Sequence, residues 1–209
     1  YLEKIGIQRE DRVAILSPNM PNWAIAYFSI TFMGAVAVPV LPDFSNIEVA
    51  NVLEHSGAKA IFISSGLLSK IEGFKSELLK TGLNIEDFSI LFSEINIPAF
   101  NPESIPAGEY KVEEDDLASI IYTSGTTGRS KGVMLTHKNI SFNALKGRKI
   151  HYLDETDRFL SVLPLSHTYE NTLGLILPML CGACVYYLRK PPTPAVLLPA
   201  LEIVKPTAM

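Results

Sequence analysis

The sequence has few cysteines, no excess of basic residues and no long apolar run free of breaks, and each shortage excludes a class of protein. Only two of the 209 residues are cysteines, too few for the disulfide framework of a small secreted protein, so we expect a reducing, cytoplasmic location. The 18 Lys and Arg residues face 22 Asp and Glu residues, and the net charge of -4 offers no broad attraction for nucleic acid. We therefore expect no nucleic-acid partner.

Two uncharged stretches, residues 23–41 and 171–188, approach the length of about 18 apolar residues that a membrane-spanning helix needs. Gly34 interrupts the first stretch, and Pro178 and Gly182 interrupt the second. Each stretch is therefore interpreted as a buried helix followed by a strand. Peripheral contact with a membrane and the oligomeric state are left open by the sequence.

Short apolar runs alternate with helical patterns along most of the chain. Strands are predicted at residues 12–17, 35–40, 59–64, 88–92, 117–123, 133–136, 158–163 and 183–188. Helices are predicted at residues 22–33, 47–55, 67–79, 138–149, 169–180 and 195–204. This alternation is the signature of βαβ units, so the sequence predicts an α/β fold of layered βαβ units with a mostly parallel sheet.

Residues 93–116 carry three prolines and an acidic cluster and are interpreted as an exposed connection. We place there the boundary between a first α/β lobe, residues 1–112, and a second, residues 113–209. The chain begins at Tyr1 and not at Met, so we expect it to be a piece of a longer parent.

A stretch rich in hydroxyls, glycines and cations lies between the predicted strands at 117–123 and 133–136. It contains Thr123, Ser124, Gly125, Thr126, Thr127, Gly128, Arg129, Ser130, Lys131 and Gly132. Glycines let backbone N–H groups approach a ligand, hydroxyls donate to phosphate oxygens, and lysine brings positive charge. The spacing fits neither the Walker A pattern nor the dinucleotide pattern G-x-G-x-x-G. The composition therefore predicts a polyphosphate-binding loop of another type.

The segment YTSGTTGRSKGV, residues 122–133, resembles the phosphate-binding signature of the adenylate-forming (AMP-binding) superfamily. It departs at Ser130, where the family usually has proline, and this change removes a backbone constraint but no hydrogen-bond donor. Residues 6–40 and 52–64 are similar to the family's opening segments. The resemblance implies that the chain is part of the large N-terminal domain of an acyl-CoA synthetase, with both lobes belonging to one incomplete AMP-binding domain.

A second motif, LPLSHTYE at residues 163–170, resembles the family segment that approaches the acyl substrate. The Glu after His-x-aromatic is closest to the fatty and long-chain acyl-CoA synthetase branch. The resemblance therefore implies a long-chain-fatty-acid–CoA ligase, which uses ATP and Mg²⁺ to convert a fatty acid or other carboxylic acid to acyl-AMP. CoA then enters as co-substrate and gives acyl-CoA.

Roles for individual residues follow from the same resemblance. The phosphates of ATP are expected to bind the loop residues Thr123, Ser124, Gly125, Thr126, Thr127, Gly128 and Lys131. The hydroxyl of Thr123 is the expected Mg²⁺ contact, Lys131 and His167 are the expected catalytic residues, and His167 and Tyr169 are expected to line the acyl site. The family's other catalytic elements lie further along the chain, so the 209-residue chain by itself is expected to be inactive.

Two other interpretations remain open. One is an adenylation domain that loads amino or aryl acids onto a carrier protein. The other is a non-catalytic phosphate-binding or thiol-redox module, suggested by the pair Cys181 and Cys184. That pair follows a predicted helix, whereas a redox pair needs a helix N-terminus to lower the thiol pKa, and a zinc site would need a second ligand pair. We therefore predict two buried cysteines.

Overall fold

The computed structural model describes residues 1–95, 110–123, 131–150 and 152–209. Seven strands in these ranges form one sheet: β1 (Arg12–Leu16), β2 (Val36–Val40), β3 (Ala60–Ile63), β4 (Thr81–Asn84), β5 (Ile90–Ser93), β6 (Leu117–Thr123) and β7 (Lys131–Thr136). Their order across the sheet is β5-β4-β3-β1-β2-β6-β7. The inner strands run parallel, and each edge strand is antiparallel to its neighbour. The predicted α/β fold with a mostly parallel sheet is confirmed.

The helices begin and end at residues suited to those positions. They are α1 (Pro21–Phe32), α2 (Asn46–Ser56), α3 (His137–Ile150), α4 (Leu177–Cys181) and α5 (Pro194–Val204). Helix α1 opens with proline, whose missing N–H would have no partner in the first turn. Helix α2 has a capping box, in which Ser45 and Glu48 satisfy each other's backbone N–H groups, and it ends at Gly57 in the left-handed conformation.

Helices α1 and α2 cover opposite faces of the large sheet. Successive residues of a strand point to opposite faces. In β1, Val13 and Ile15 belong to one buried cluster with Trp23 of α1. Leu16 belongs to a second cluster with Leu53 of α2. Because both faces are covered, the inner strands are continuous apolar runs and do not alternate with polar residues.

A smaller parallel sheet joins β8 (Arg158–Ser161) to β9 (Cys184–Tyr187). The connection between them is a π-helical segment, Glu170–Ile176, that runs directly into α4. The large sheet contains strands from both sides of the proposed boundary at residues 112 and 113, whereas the small sheet lies wholly after it. The division into two lobes stays a prediction.

The helix expected at residues 67–79 is wrong. A 3-10 helix spans Ser65–Ile71, and Gly73 then turns the chain with φ +75°. The next element is β4, whose sequence TGLN was not recognised as a strand because glycine and asparagine disfavour strands in isolation. Its pairing with β3 stabilises it there. In the described ranges, every helix is too short or too polar to traverse a bilayer.

Candidate active site

The two described ends of the predicted phosphate loop face each other across a β-ladder. Thr123 ends β6, Lys131 begins β7, and these two residues are cross-strand partners. Both are exposed. The hairpin mouth, as we call this Thr123–Lys131 pair, therefore presents a hydroxyl and an ammonium group side by side. The other predicted ligands, Ser124, Gly125, Thr126, Thr127 and Gly128, lie outside the described residues.

The hairpin mouth lies at the carboxyl edge of the large sheet. Strand β6 runs parallel to β2, and β2 runs parallel to β1, so all three strands end at the same edge. In open α/β sheets this edge is where ligands bind, because the loops that follow parallel strands converge there. The same edge receives residues 17–20, the turn that follows β1.

Asn19 in that turn ties the second predicted motif to the sheet. Its side-chain amide donates to the Ser161 hydroxyl at 3.1 Å and to the carbonyl of Leu163 at 2.6 Å. Its carbonyl oxygen accepts from the N–H of Leu165 at 2.8 Å. Asn19 is only 5% exposed, so these bonds are shielded from water and hold the segment LPLSHTYE beside the end of β1.

His167 and Tyr169 lie in the turn that leads into the π-helical segment, and both side chains are exposed. The backbone N–H of Tyr169 donates to Nδ1 of His167 at 3.3 Å, and the N–H of Asn171 donates to the carbonyl of His167 at 2.9 Å. With Nδ1 accepting, a neutral His167 carries its proton on Nε2. Within the described ranges, no hydrogen bond joins these residues to the hairpin mouth.

Glu170 is the buried acid of this region, at 5% exposure. Burial raises its pKa above the ordinary value, and hydrogen bonds from the Ser161 hydroxyl and the Leu163 N–H partly oppose that rise. A side chain at Gly174, one helical turn on, would overlap the Glu170 carboxyl, so the glycine provides the space that the acid occupies. Asn19, Ser161 and Glu170 are thus buried polar neighbours.

A cavity of about 530 Å³ opens beside these residues. Its walls are mostly apolar and include Phe159, Leu173 and Leu177, while Tyr169 and Glu170 give it a polar side. A cleft with apolar walls and a few polar groups is the usual form of a small-molecule site.

The family model described as AMP-binding enzyme matches residues 1–209. The chain belongs to the AMP-binding enzyme family. It is 31% identical over 199 residues to 4-coumarate:CoA ligase 1 of Petunia hybrida, and the alignment covers 90% of this chain and 35% of that relative. The chain thus spans about a third of that relative's length.

Two solved structures share this family fold. The anthranilate CoA ligase AuaEII in complex with anthranoyl-AMP has a TM-score of 0.84 and 25% identity, over 99% of this chain and 40% of that one. The N-terminal domain of FACL13 from Mycobacterium tuberculosis has a TM-score of 0.72 and 27% identity, over 90% of this chain and 46% of that one. The predicted superfamily is confirmed, while the narrower fatty-acid branch stays a prediction because the coumarate and anthranilate ligases are named for aryl acids.

The expectation of two buried cysteines is wrong for one of them. Cys181 is buried at the end of α4, but Cys184 is exposed at the start of β9, and both are free thiols. Cys181 lies at the C-terminal end of a helix and Cys184 lies in a strand, and neither position favours a thiolate. No group of three metal-binding side chains occurs in the part of the chain that the structure describes. A redox or zinc role gains no support.

Sequence reasoning missed Asn19, and it used Glu170 only to assign a branch of the family. Asn19 stands in the polar turn SPN directly after a buried strand, which is the one local signal that it had. Its partners are 142 to 146 residues away in the sequence. Contacts between residues so far apart arise only when the chain folds, so the spacing of residues in the sequence does not predict them.

The buried Glu170 makes the stability of the protein depend on pH. Because its folded pKa is raised, the fold is favoured below the unfolded pKa of about 4.3 and loses that advantage as pH rises through the folded value. Glu170→Gln removes the buried charge, so its free energy of unfolding should equal that of the wild type near pH 4 and exceed it at pH 8 by on the order of 1 kcal/mol. Melting curves at the two pH values measure this difference. The exposed Glu202→Gln on α5 is the matched control and should show no such pH dependence. A Glu170→Gln protein that is less stable than the wild type at both pH values would contradict this reading.

Proposed function

We propose that this chain forms the ATP-binding part, and one wall of the acid site, of an acid–CoA ligase. In the first step a substrate carboxylate attacks the α-phosphate of ATP and releases pyrophosphate, giving acyl-AMP. In the second step the thiol of CoA attacks the acyl carbon and releases AMP. The observation that carries the proposal is the hairpin mouth at the carboxyl edge of the sheet, in a chain that belongs to the AMP-binding enzyme family.

The hairpin mouth is suited to the phosphates of ATP. Lys131 places a mobile ammonium group at the start of β7, and charge-assisted bonds from lysine to phosphate oxygens are among the stronger ones. The backbone and hydroxyl donors of Ser124, Gly125, Thr126, Thr127 and Gly128 are assigned to the same β- and γ-phosphates. Adenylation needs charge neutralised and groups held in line, which is what such a set of donors provides.

Magnesium fits this site through one protein oxygen. Mg²⁺ usually keeps several waters and binds substrate phosphates together with one or two protein ligands. The exposed hydroxyl of Thr123 can supply one oxygen beside the phosphates. When bound, the ion would neutralise phosphate charge, and no cluster of carboxylates is needed for that role.

We assign the acid to the cavity beside the LPLSHTYE segment. The apolar side chains Phe159, Leu173 and Leu177 suit the hydrocarbon part of the substrate. His167 and Tyr169 lie at the opening of the π-helical segment, where they would border the carboxylate and the adenylate formed from it. A fatty acid is our first candidate for the substrate. An aryl acid is the second, favoured by the names of the coumarate and anthranilate ligases that resemble this chain.

Carboxylate-dependent ATP–pyrophosphate exchange tests the proposal directly. The full-length parent should catalyse exchange and thioester formation with CoA, and a panel of palmitate, 4-coumarate and an amino acid identifies the acid. Activity with palmitate supports the fatty-acid branch, and activity with 4-coumarate alone supports an aryl-acid ligase. The 209-residue chain by itself should show no exchange. A parent without exchange on any carboxylate would refute the ligase assignment.

Removing the Lys131 ammonium should weaken ATP handling. In the parent, Lys131→Ala should cost about 1 to 3 kcal/mol in ATP binding or in the exchange rate, the scale of a charge-assisted bond to an anion. Lys138→Ala is the matched control, because Lys138 is an exposed lysine a few residues away that pairs with Glu114 at 2.7 Å. Calorimetry with ATP gives the affinity. Equal effects of the two substitutions would show that only general charge is lost.

Substituting His167 should affect the acid and not the nucleotide. Tyr169 and Glu170 of the LPLSHTYE segment line the cavity assigned to the acid, and His167 lies two residues before Tyr169. We therefore expect His167→Ala in the parent to raise the KM for the acid or slow exchange, with the Kd for ATP unchanged. Tyr169→Phe, which keeps the ring, is expected to have the smaller effect. If His167→Ala weakened ATP binding as much as acid binding, with a normal melting temperature, the assignment to the acid side would be lost.

A further inference from the structure

One residue outside both motifs contacts the base of the phosphate loop. His55 lies in the last turn of α2, and its Nδ1 is 2.7 Å from the hydroxyl oxygen of Tyr122, the residue before Thr123. The two rings meet edge to face, with centroids 5.7 Å apart and planes at 88°. Tyr122 is 3% exposed, so its ring is almost fully enclosed while His55 caps its polar end.

The Tyr122 hydroxyl keeps its proton for this contact. Burial raises the pKa of Tyr122, which favours the protonated phenol. Its O–H can therefore donate to an unprotonated Nδ1 of His55.

The other side of the Tyr122 ring rests on the second strand of the hairpin. Tyr122 and Gly132 are cross-strand partners, one position inside the hairpin mouth. A Cβ added at Gly132 would lie 3.2 Å from Cζ of Tyr122, so the ring lies directly over this glycine. Held by His55 at one end and by β7 beneath, the ring fixes the pair of residues next to Thr123 and Lys131.

The end of α2 that carries His55 is itself anchored to the sheet. The Arg12 guanidinium of β1 donates to the carbonyl of Ser56 at 2.8 Å and to that of Gly57 at 3.3 Å. These bonds satisfy carbonyl groups that a helix C-terminus leaves without partners. His55 is thus held on a rigid support, which a residue needs if it is to orient another.

We propose that His55 is a positioning residue for the phosphate loop, acting through Tyr122 to hold Thr123 and Lys131 at the separation that ATP requires. The proposal rests on the proposed function of the loop as an ATP site. His55 touches no substrate in this scheme. Its contribution is to keep the hairpin mouth rigid before ATP binds. A rigid site loses less conformational entropy on binding, so ATP binds more tightly.

The test compares four variants of the full-length parent with one control variant. His55→Ala and Tyr122→Phe each remove the contact, and each should raise the KM for ATP by roughly threefold to tenfold, the scale of one hydrogen bond. The KM for the acid should be unchanged. The double variant should be no worse than either single one, because both lose the same contact. His55→Asn, which returns an acceptor or donor near the position of Nδ1, should restore much of the affinity.

Glu54→Ala is the matched control, because Glu54 is exposed on the same turn of α2. It should leave the KM for ATP unchanged, which separates damage to the helix from loss of the contact. If His55→Ala and Tyr122→Phe lowered the melting temperature but left the KM for ATP at the wild-type value, the pair would serve only the fold, and the proposal would be wrong.

Hydrogen exchange without nucleotide distinguishes this failure from failure of the proposed function. Backbone amides of β6 and β7 next to the hairpin mouth should exchange faster in His55→Ala than in Glu54→Ala. If the wild-type parent does not bind ATP, the ATP site is refuted, and the exchange comparison still decides whether His55 orders the hairpin. Unchanged exchange in His55→Ala would overturn the positioning role whatever the result with ATP.

Discussion

The pairing of β6 with β2 is the contact on which the candidate site depends. It joins Ala37 to Ser119, 82 residues apart in the sequence, and the buried hydroxyl of Ser119 donates to the Ala37 carbonyl at 3.0 Å. Through this pairing the β6–β7 hairpin becomes part of the large sheet and inherits the direction of its parallel strands. The hairpin mouth consequently faces the same edge as the turn after β1. Without that pairing, Thr123 and Lys131 would still oppose each other, but they would not face the rest of the site.

Asn19 supplies the second connection, between the large sheet and the segment that precedes the π-helical turn. The Asn19 side chain forms hydrogen bonds with Ser161, Leu163 and Leu165, and the buried Glu170 lies near Ser161. Buried polar groups of this kind are costly if any of them loses its partner, so they specify one arrangement of the segments that they join. These hydrogen bonds thus connect the segment LPLSHTYE, for which we propose a role at the acid site, to the sheet that carries the hairpin mouth, although this segment follows β8 of the smaller sheet.

The sequence was most informative where the determinants are local. The apolar runs of β1, β2 and β3 are properties of short segments, and they predicted the sheet. The density of donors in residues 122–133 is also local, but the phosphate loop that it predicts stays a prediction, because residues 124–130 lie outside the described residues. Strand β4 was missed because its residues form a strand only beside β3. The helix predicted at residues 67–79 was too long, because no local signal predicted that the chain would turn at Gly73, after the 3-10 helix that ends at Ile71. Asn19 and His55 act through partners far along the chain, which residue spacing does not reveal.

The proposed nucleotide site includes Lys131, which lies on an edge strand of the large sheet, β7. In the described part of the molecule, β7 has a strand neighbour on one side only, and Val133 and Met134 are exposed on it. An open edge with apolar side chains invites a second copy to extend the sheet, and a lysine at such an edge opposes this, because its charge would have to be buried. A substitution that removes the charge of Lys131 would therefore affect strand pairing at this edge as well as the phosphate contact that we propose for it.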